Sequence, residues 1–503
     1  MLDSLGQVLP QATRQFGDKT ALVFEGRSFS FRELDDLSDA LAASLAEMDV
    51  RPGDRVTLYA PNSWEWIVSY YGALKTGAVI NPINVMLTPA EVAFVTKDCG
   101  ASALIGSPDK VNPALEAGVS GLKAITFGEA AVAGATPFNE LVARRRTFEP
   151  VAVKPEATST IGYTSGTTGH PKGAMQSHRA VILNSAMTAQ LHLKTPADTV
   201  VSALPCPHVY GNVVFNGAMM YGMKLVLHPR FDAGEVLSSI ATHKATLFEG
   251  VPTMYMIMLV HPDFDSYALA SLTRCTVGGQ TMPVAKMAEV ERRFACPLIE
   301  LWGMTELAGL GTTFPSNGPV KLGSIGVALP HCEARIADSA DAARTMPRGE
   351  VGELMMRGPI VMQGYYGNEE ATREAIEPDG WLHTGDLATM DEDGAIFIVD
   401  RKKDMINTAG YKVFPAEIER VIAAHPSVAM VAVGAQPDEL KGEVAKAYVV
   451  LKPGAAPDAE GVLELCRSQL AAYKAPRAIQ FVADLPKTST GKIMRRVLKT
   501  LDA

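Results

Sequence analysis

Residues 163–173 read Tyr163-Thr164-Ser165-Gly166-Thr167-Thr168-Gly169-His170-Pro171-Lys172-Gly173. Three glycines, four Ser/Thr hydroxyls and one lysine fall within these eleven residues. Glycine lets backbone N–H groups turn toward an anion, hydroxyls add donors, and a lysine ammonium is a point charge suited to phosphate. The pattern is not the Walker one, because Lys172 lies three residues after Gly169 and precedes Gly173 rather than Ser or Thr. On composition alone two readings stand: an exposed flexible loop, and a phosphate cradle.

Helical and strand patterns alternate on both sides of this segment. Leu34, Leu37, Leu41 and Leu45 recur at helical spacing within residues 28–48, with Ser30 three residues before Glu33 as a capping box. Arg51-Pro52-Gly53-Asp54 is a turn leading into a strand over Arg55–Tyr59. A helix over Ser63–Thr76 and a strand over Ala78–Ile80 follow. Downstream the pattern predicts a helix over Val181–Gln190, strands over Val200–Leu204 and Lys224–Leu227, a helix over Ala233–His243 and a strand at Leu247-Phe248. This alternation predicts an α/β fold with a large N-terminal domain of parallel-rich sheets and helices. Beyond residue 320 the apolar runs shorten and Gly, Asp and Pro interrupt them, as at Glu353–Met356, Trp381-Leu382 and Ala395–Val399, which predicts a β-rich subdomain. From Asp404 a second series predicts a small α+β domain: helix Pro415–Ala424, strands Val428–Gly434 and Ala445–Leu451, helix Asp458–Ala472, strand Ala478–Val482. The expected domains are 1–400 and 405–503, joined by the charged stretch 401–404.

A chain of 503 residues exceeds the size at which one core stops growing, so two or more domains are expected. Apolar residues at 47% and charged residues at 20% are ordinary for a globular protein. A net charge of −9 disfavours a nucleic-acid partner, which needs a basic surface. Six scattered cysteines with no C-x-x-C pair, and no H-E-x-x-H, disfavour structural zinc and a disulfide framework. The first residues lack the basic-then-apolar pattern of a signal peptide, and no apolar run reaches membrane-spanning length. A cytoplasmic protein without a transmembrane segment is expected, and a homodimer is one open reading of its assembly.

Four further segments occur in a fixed order after the first: Gly303-Met304-Thr305-Glu306, Thr384-Gly385-Asp386, Asp400-Arg401-Lys402-Lys403-Asp404, and Pro486-Lys487-Thr488-Ser489-Thr490-Gly491-Lys492-Ile493. Together with Tyr163–Gly173 they resemble the signatures of the adenylate-forming superfamily, which includes acyl-CoA synthetases, peptide-synthetase adenylation domains and beetle luciferases. The resemblance spans nearly the whole chain. It implies an acyl-CoA synthetase that joins a carboxylic acid to ATP as an acyl-adenylate and then to coenzyme A. It also implies that the small C-terminal domain is mobile.

The resemblance assigns the residues as follows. Thr164, Ser165, Gly166, Thr167, Thr168, Gly169 and Lys172 would hold the β- and γ-phosphates of ATP. Thr305 would contact the α-phosphate, Gly303 would be a further ATP-binding residue, and Glu306 would help hold Mg²⁺, a hard cation that prefers oxygen ligands. Gly279 and Gln280, in Gly278-Gly279-Gln280, would line the adenine and acyl sites. Trp302 stands where the family mostly carries a stacking Tyr, and its indole also offers a flat face. Asp386 and Arg401 would contact the ribose, and Lys492 would be the catalytic lysine bridging carboxylate and α-phosphate. Lys403 would be the hinge. Gly410, Tyr411 and Lys412, in the stretch Met405–Lys412, would enter the site for thioester formation and meet CoA. Apart from the resemblance, Lys487, Lys492, Arg495, Arg496 and Lys499 read as a solvated basic tail, and a second reading has part of that patch, Arg495 and Arg496, attract the phosphates of CoA.

His208, in Pro207-His208-Val209-Tyr210-Gly211, resembles the H-x-x-G motif beside the acyl pocket. Val209, Tyr210, Val213, Val214, Leu307, Gly309 and Gly311 would line that pocket with Gly279. These residues are apolar or small and include no Arg or Lys. That disfavours a dicarboxylate, whose second buried charge would need a partner. Gly309 and Gly311 leave room for a long acid, so a medium- or long-chain fatty acid is expected, with an aryl or cinnamate-type acid beside it. The alternatives are an acyl-AMP ligase serving a carrier protein, for which residues 323–401 are too short to hold the usual insertion, and a non-catalytic nucleotide-binding relative. A luciferase-like oxygenase shares only the fold.

Overall fold

The computed structural model describes residues 2–128, 132–164, 171–339, 341–409, 411–438, 440–487 and 493–502. Runs of buried aliphatic residues build two large, mainly parallel sheets. The first orders its strands 135–137, 123–126, 101–106, 55–59, 79–82, 158–164 and 172–177, all parallel except the final hairpin. In the second, strands 298–304, 274–278, 247–250, 199–202, 224–227 and 20–24 run parallel, with antiparallel strands at both edges. Parallel strands must be covered on both faces, which explains their near-continuous burial.

Most elements follow the sequence pattern. The strand Arg55–Tyr59 and the helix Ala233–His243 have the expected limits. The helix Trp64–Lys75 starts after Ser63, whose hydroxyl accepts from Trp66 N. The helix Phe31–Glu47 starts after Ser30, which accepts from Glu33 N at 3.0 Å. Only half of the expected capping box forms there, because the Glu33 carboxylate turns to Arg27 at 3.0 Å. The strand Thr20–Phe24 went unread in the sequence; it pairs with Lys224–Leu227, some two hundred positions away.

The β-rich part is a four-stranded antiparallel sheet ordered 333–337, 352–357, 382–390 and 396–401. The small domain holds an antiparallel sheet of 411–413, 406–408, 442–451 and 428–438, with 478–481 added in parallel. Its buried residues, Ile406 to Cys466, form a cluster of their own. The largest cluster runs from Leu5 to Ile396. This is the α/β arrangement of a large N-terminal and a small C-terminal domain expected above. Among the described residues no helix is long and apolar enough to cross a membrane. All six thiols are free.

Candidate active site

The strands Thr158–Thr164 and Lys172–Ser177 pair antiparallel, with Thr164 opposite Lys172. Residues 165–170, which include Ser165, Gly166, Thr167, Thr168 and Gly169, lie outside the described residues. Lys172 Nζ sits 5.4 Å from the centre of the Tyr365 ring. Tyr365 in turn donates its hydroxyl to Glu306 Oε1 at 2.8 Å. Segment 362–366 is laid against the hairpin by backbone bonds from Met175 N to Gly364 O, Gln363 N to Met175 O and Tyr366 N to Gly173 O. Tyr365 was not singled out from the sequence, and no motif marks it.

Thr305 and Glu306 follow the strand Leu298–Met304 in a short 3-10 turn. Gln176 Nε2 donates to Thr305 O at 2.8 Å. A Cβ at Gly162 would lie 2.6 Å from Thr305 Cγ2, so glycine is needed for the two sheets to approach here. Glu306 is buried, and burial raises its pKa, while the Tyr365 hydrogen bond and the charge of Arg401 act the other way. A buried carboxylate that no lysine or arginine pairs within salt-bridge distance, among the described residues, is suited to receive a hard cation.

Asp386 faces this turn from the four-stranded sheet. Its Oδ2 accepts from Trp302 Nε1 at 2.7 Å. Arg401, its register partner on the next strand, places Nε 3.0 Å from Oδ1. That approach lacks hydrogen-bond alignment, so Oδ1 stays a buried acceptor without a hydrogen bond. Trp302 itself is nine-tenths buried, and its ring packs over Gly311. Gly303 is the next residue on that strand. Gly279, at φ +90°, and Gln280 follow the neighbouring parallel strand Arg274–Gly278. Thr305, Glu306, Gly279 and Gln280 thus follow the carboxyl ends of two neighbouring parallel strands, where open α/β sheets bind ligands, and Asp386 meets them from the antiparallel sheet.

The H-x-x-G segment caps a helix. His208 is the N-cap of Val209–Met220, and its Nδ1 accepts from Tyr210 N at 3.2 Å. Tyr210 is buried, and its hydroxyl meets Thr276 Oγ1 at 2.6 Å. Thr276 donates to Glu249 Oε2 at 3.3 Å, and Glu249 Oε1 pairs with Lys194 at 2.6 Å. A cation thus lies behind Tyr210, already neutralised by Glu249. Val213, Val214 and Leu307 are buried. Asn184 pins the 307–310 turn by donating to Leu307 O and Leu310 O and accepting from Leu310 N. The expectation that Gly309 and Gly311 leave room for acid length is corrected. A Cβ at Gly309 would lie 2.5 Å from both Asn184 Oδ1 and Val213 Cγ2, and one at Gly311 2.7 Å from Trp302 and 2.8 Å from Leu307. Protein atoms already fill the space these glycines were read as opening.

The charged stretch 401–404 is exposed at Arg401, Lys402 and Lys403, yet most of it is tethered. Lys402 bonds Glu353 at 2.9 Å, and Asp404 lies 3.3 Å from Arg495. Beyond it, Ile406–Thr408 and Tyr411–Val413 pair antiparallel and carry exposed Tyr411 and Lys412; Gly410 lies outside the described residues. Tyr411 stacks on Tyr473 at 4.7 Å, a partner the sequence reading missed. Lys492 also lies outside the described residues. Arg495 does not offer a free charge to CoA. It pairs with Asp400 at 3.0 Å and holds Glu419 through two bonds of 2.6 and 3.1 Å. The Arg496 side chain lies outside the described residues.

This fold is matched by known proteins. Residues 9–366 match the model of the AMP-binding enzyme family, and residues 417–492 that of the AMP-binding enzyme C-terminal domain. A long-chain-fatty-acid–CoA ligase of Bacillus subtilis is 34% identical over 98% of this chain and 94% of its own length. The crystal structure of the anthranilate CoA ligase AuaEII with anthranoyl-AMP superposes with a TM-score of 0.93, at 29% identity over 99% of this chain and 97% of that one. The o-succinylbenzoate coenzyme A synthetase of Bacillus subtilis, solved with ATP and magnesium ion, superposes with a TM-score of 0.85, at 29% identity over 98% and 99%. The chain belongs to the adenylate-forming superfamily of AMP-binding enzymes. Within it, it falls in the CoA ligase branch and is an AMP-forming acid–CoA ligase.

Proposed function

We propose that the enzyme activates an apolar monocarboxylic acid as its acyl-adenylate and transfers the acyl group to coenzyme A. The observation that carries the site assignment is the convergence of Thr305-Glu306 with Lys172 through Tyr365, and of Asp386 with Arg401. In the first step a carboxylate oxygen bonds the α-phosphorus and the bond to diphosphate breaks. Both reactants are anions, so positioning and charge neutralisation supply most of the rate. Lys172 and the Thr164 end of the hairpin hold the departing diphosphate. Thr305 faces the α-phosphate, Asp386 Oδ1 accepts from the ribose, and Gly279, Gln280 and the Trp302 ring flank adenine. Lys492 carries its charge to the attacked phosphate. Glu306 is the residue that would hold Mg²⁺, which supplies further charge neutralisation when bound. In the second step the CoA thiol gives its proton to solvent, its sulfur bonds the acyl carbon, and the bond from that carbon to the AMP phosphate oxygen breaks, releasing AMP. Lys403 is the hinge for the exchange, with domain limits at 400 and 405. Gly410, Tyr411 and Lys412 then meet CoA, and the exposed Tyr411–Tyr473 stack supports that role.

Of the two acid classes, the filled space around Gly309 and Gly311 and the anchored Tyr210 favour a compact aryl or cinnamate-type acid over a long chain. His208, at the head of the pocket-lining helix, lies beside the carboxylate. The test is acid-dependent ATP–diphosphate exchange across a panel of aryl and fatty acids, with and without CoA. Exchange and thioester formation with aryl acids are expected. No acid-dependent exchange ends the ligase reading. Exchange without thioester indicates a carrier-protein acceptor, and a preference for fatty acids overturns the substrate class.

A further inference from the structure

The indole of Trp302 has a polar edge as well as a face. Stacking on a nucleobase uses only the face, and a phenyl or phenol ring would serve. Here the N–H is spent on one specific atom, Asp386 Oδ2, at 2.7 Å between buried residues 84 positions apart. Hydrogen bonds to an ionised group are worth about twice neutral ones, and leaving such a group unpaired costs more. Every contact around the carboxylate bears on its orientation. The backbone N–H of Asp386 is held by Thr384 Oγ1 at 3.2 Å, and that hydroxyl donates to Leu354 O at 2.6 Å. Arg401 approaches Oδ1 without hydrogen-bond alignment. Trp302 Nε1 is therefore the one well-aligned side-chain donor on the carboxylate among the described residues. Holding Oδ2, it leaves Oδ1 as the acceptor without a hydrogen bond. Trp302 is itself held against rotation, because its ring packs over Gly311, where a Cβ would come within 2.7 Å of Cζ3.

We infer that Trp302 is a positioning residue that acts through Asp386: its N–H orients the carboxylate so that Oδ1 receives the ribose hydroxyls of ATP. This rests on the proposed reading of Asp386 as the ribose acceptor and goes beyond it. The strand carrying the nucleobase-facing ring then also sets how strictly the enzyme demands a ribose. Loss of the N–H alone frees the carboxylate to turn, while the face toward adenine survives.

The experiment measures kcat and KM for ATP, 2′-deoxy-ATP and 3′-deoxy-ATP in acid-dependent adenylation. Three forms are compared with wild type: Trp302→Phe, Asp386→Asn, and a protein with 3-benzothienylalanine at position 302. The last keeps the bicyclic shape and replaces N–H by sulfur, so it serves where Trp302→Phe folds poorly. Trp302→Phe and the benzothienyl form are expected to raise KM for ATP about tenfold with kcat changed less than about threefold. They should also reduce the preference for ATP over both deoxy-nucleotides by about the same tenfold factor. Asp386→Asn should reduce that preference at least as much. A packing role alone would lower kcat or stability and leave the preference ratio intact. If Asp386→Asn lowers the preference while both N–H-free forms keep it, the inference is overturned and the reading of Asp386 stands. If Asp386→Asn itself keeps the preference, the ribose reading fails and the inference falls with it.

Discussion

Glu306 shows what a single residue owes to its neighbours. Burial raises its pKa, and the hydroxyl of Tyr365 at 2.8 Å pulls it back. A carboxylate that is to hold a cation must be ionised, so the Tyr365 hydrogen bond keeps the residue serviceable at lower pH. Tyr365→Phe removes that bond and lets the pKa of Glu306 rise further. The acid limb of the pH–rate profile is expected to move to higher pH, and activity near neutrality to fall about tenfold, the scale of one hydrogen bond to a charged group. An acid limb that stays in place in the variant would contradict this account. Lys172 also loses the electron-richer ring beneath its ammonium, but Phe keeps a face there, so that contact changes little.

At the scale of elements, the C-terminal 3-10 segment Arg495–Asp502 is moored to the join between the domains. Arg495 bonds Asp400 on one side of the charged stretch, Asp404 at its far end, and Glu419 on the helix Pro415–Ala423. Burial would lower the Arg495 pKa, but these carboxylates raise it on balance. Asp400 is buried, and its Oδ2 also accepts from Ala416 N at 2.8 Å. Removing one member of a buried charge group strands the others, at a cost of about 3 kcal/mol. Arg495→Gln is therefore expected to lower the denaturation midpoint and to open the C-terminal segment to limited proteolysis. Because Lys492 lies three residues upstream, acid-dependent ATP–diphosphate exchange should fall with it. Wild-type exchange in a variant that is cut readily would separate this mooring from catalysis.

Across the whole molecule, one charged cluster links the four-stranded sheet to the inter-domain stretch. Glu353 accepts from Gly385 N and Lys402, and His383 stands between Glu353 at 3.4 Å and Glu377 at 2.9 Å. The hydrogen bond to Glu353 leads in raising the His383 pKa, against burial. Burial would push Glu353 up, but His383 and Lys402 together hold it down at about 2. The two groups act at opposite ends of the pH scale. His383 contributes stability fully below 6.5, and that contribution is lost as pH rises through its higher folded value. Glu353 contributes above 4.5 and loses its contribution as pH falls toward about 2. Thermal midpoints should therefore fall as pH rises above 6.5 in wild type and flatten there in His383→Asn. Identical slopes in the two proteins would remove His383 from the balance.

The sequence by itself determined most of the elements and which chemical groups are candidates for the site. Local pattern and turn signals placed Arg55–Tyr59 and Ala233–His243 at their limits and the helix Trp64–Lys75 to within a residue at each end, because these depend on neighbours a few residues apart. Thr305, Glu306, Asp386 and Arg401 were legible because each stands in a short ordered motif. The tertiary structure alone decided what those groups touch. Tyr365 reaches Glu306 across 59 positions, Trp302 reaches Asp386 across 84, and Arg495 reaches Asp400 across 95. No periodicity encodes such pairs, since they follow from strand order and from which sheet faces which. The same holds for Gly309 and Gly311. A glycine in a sequence is open space or a close approach with equal ease, and only the packed neighbours, Asn184, Val213, Trp302 and Leu307, show that here it is the second.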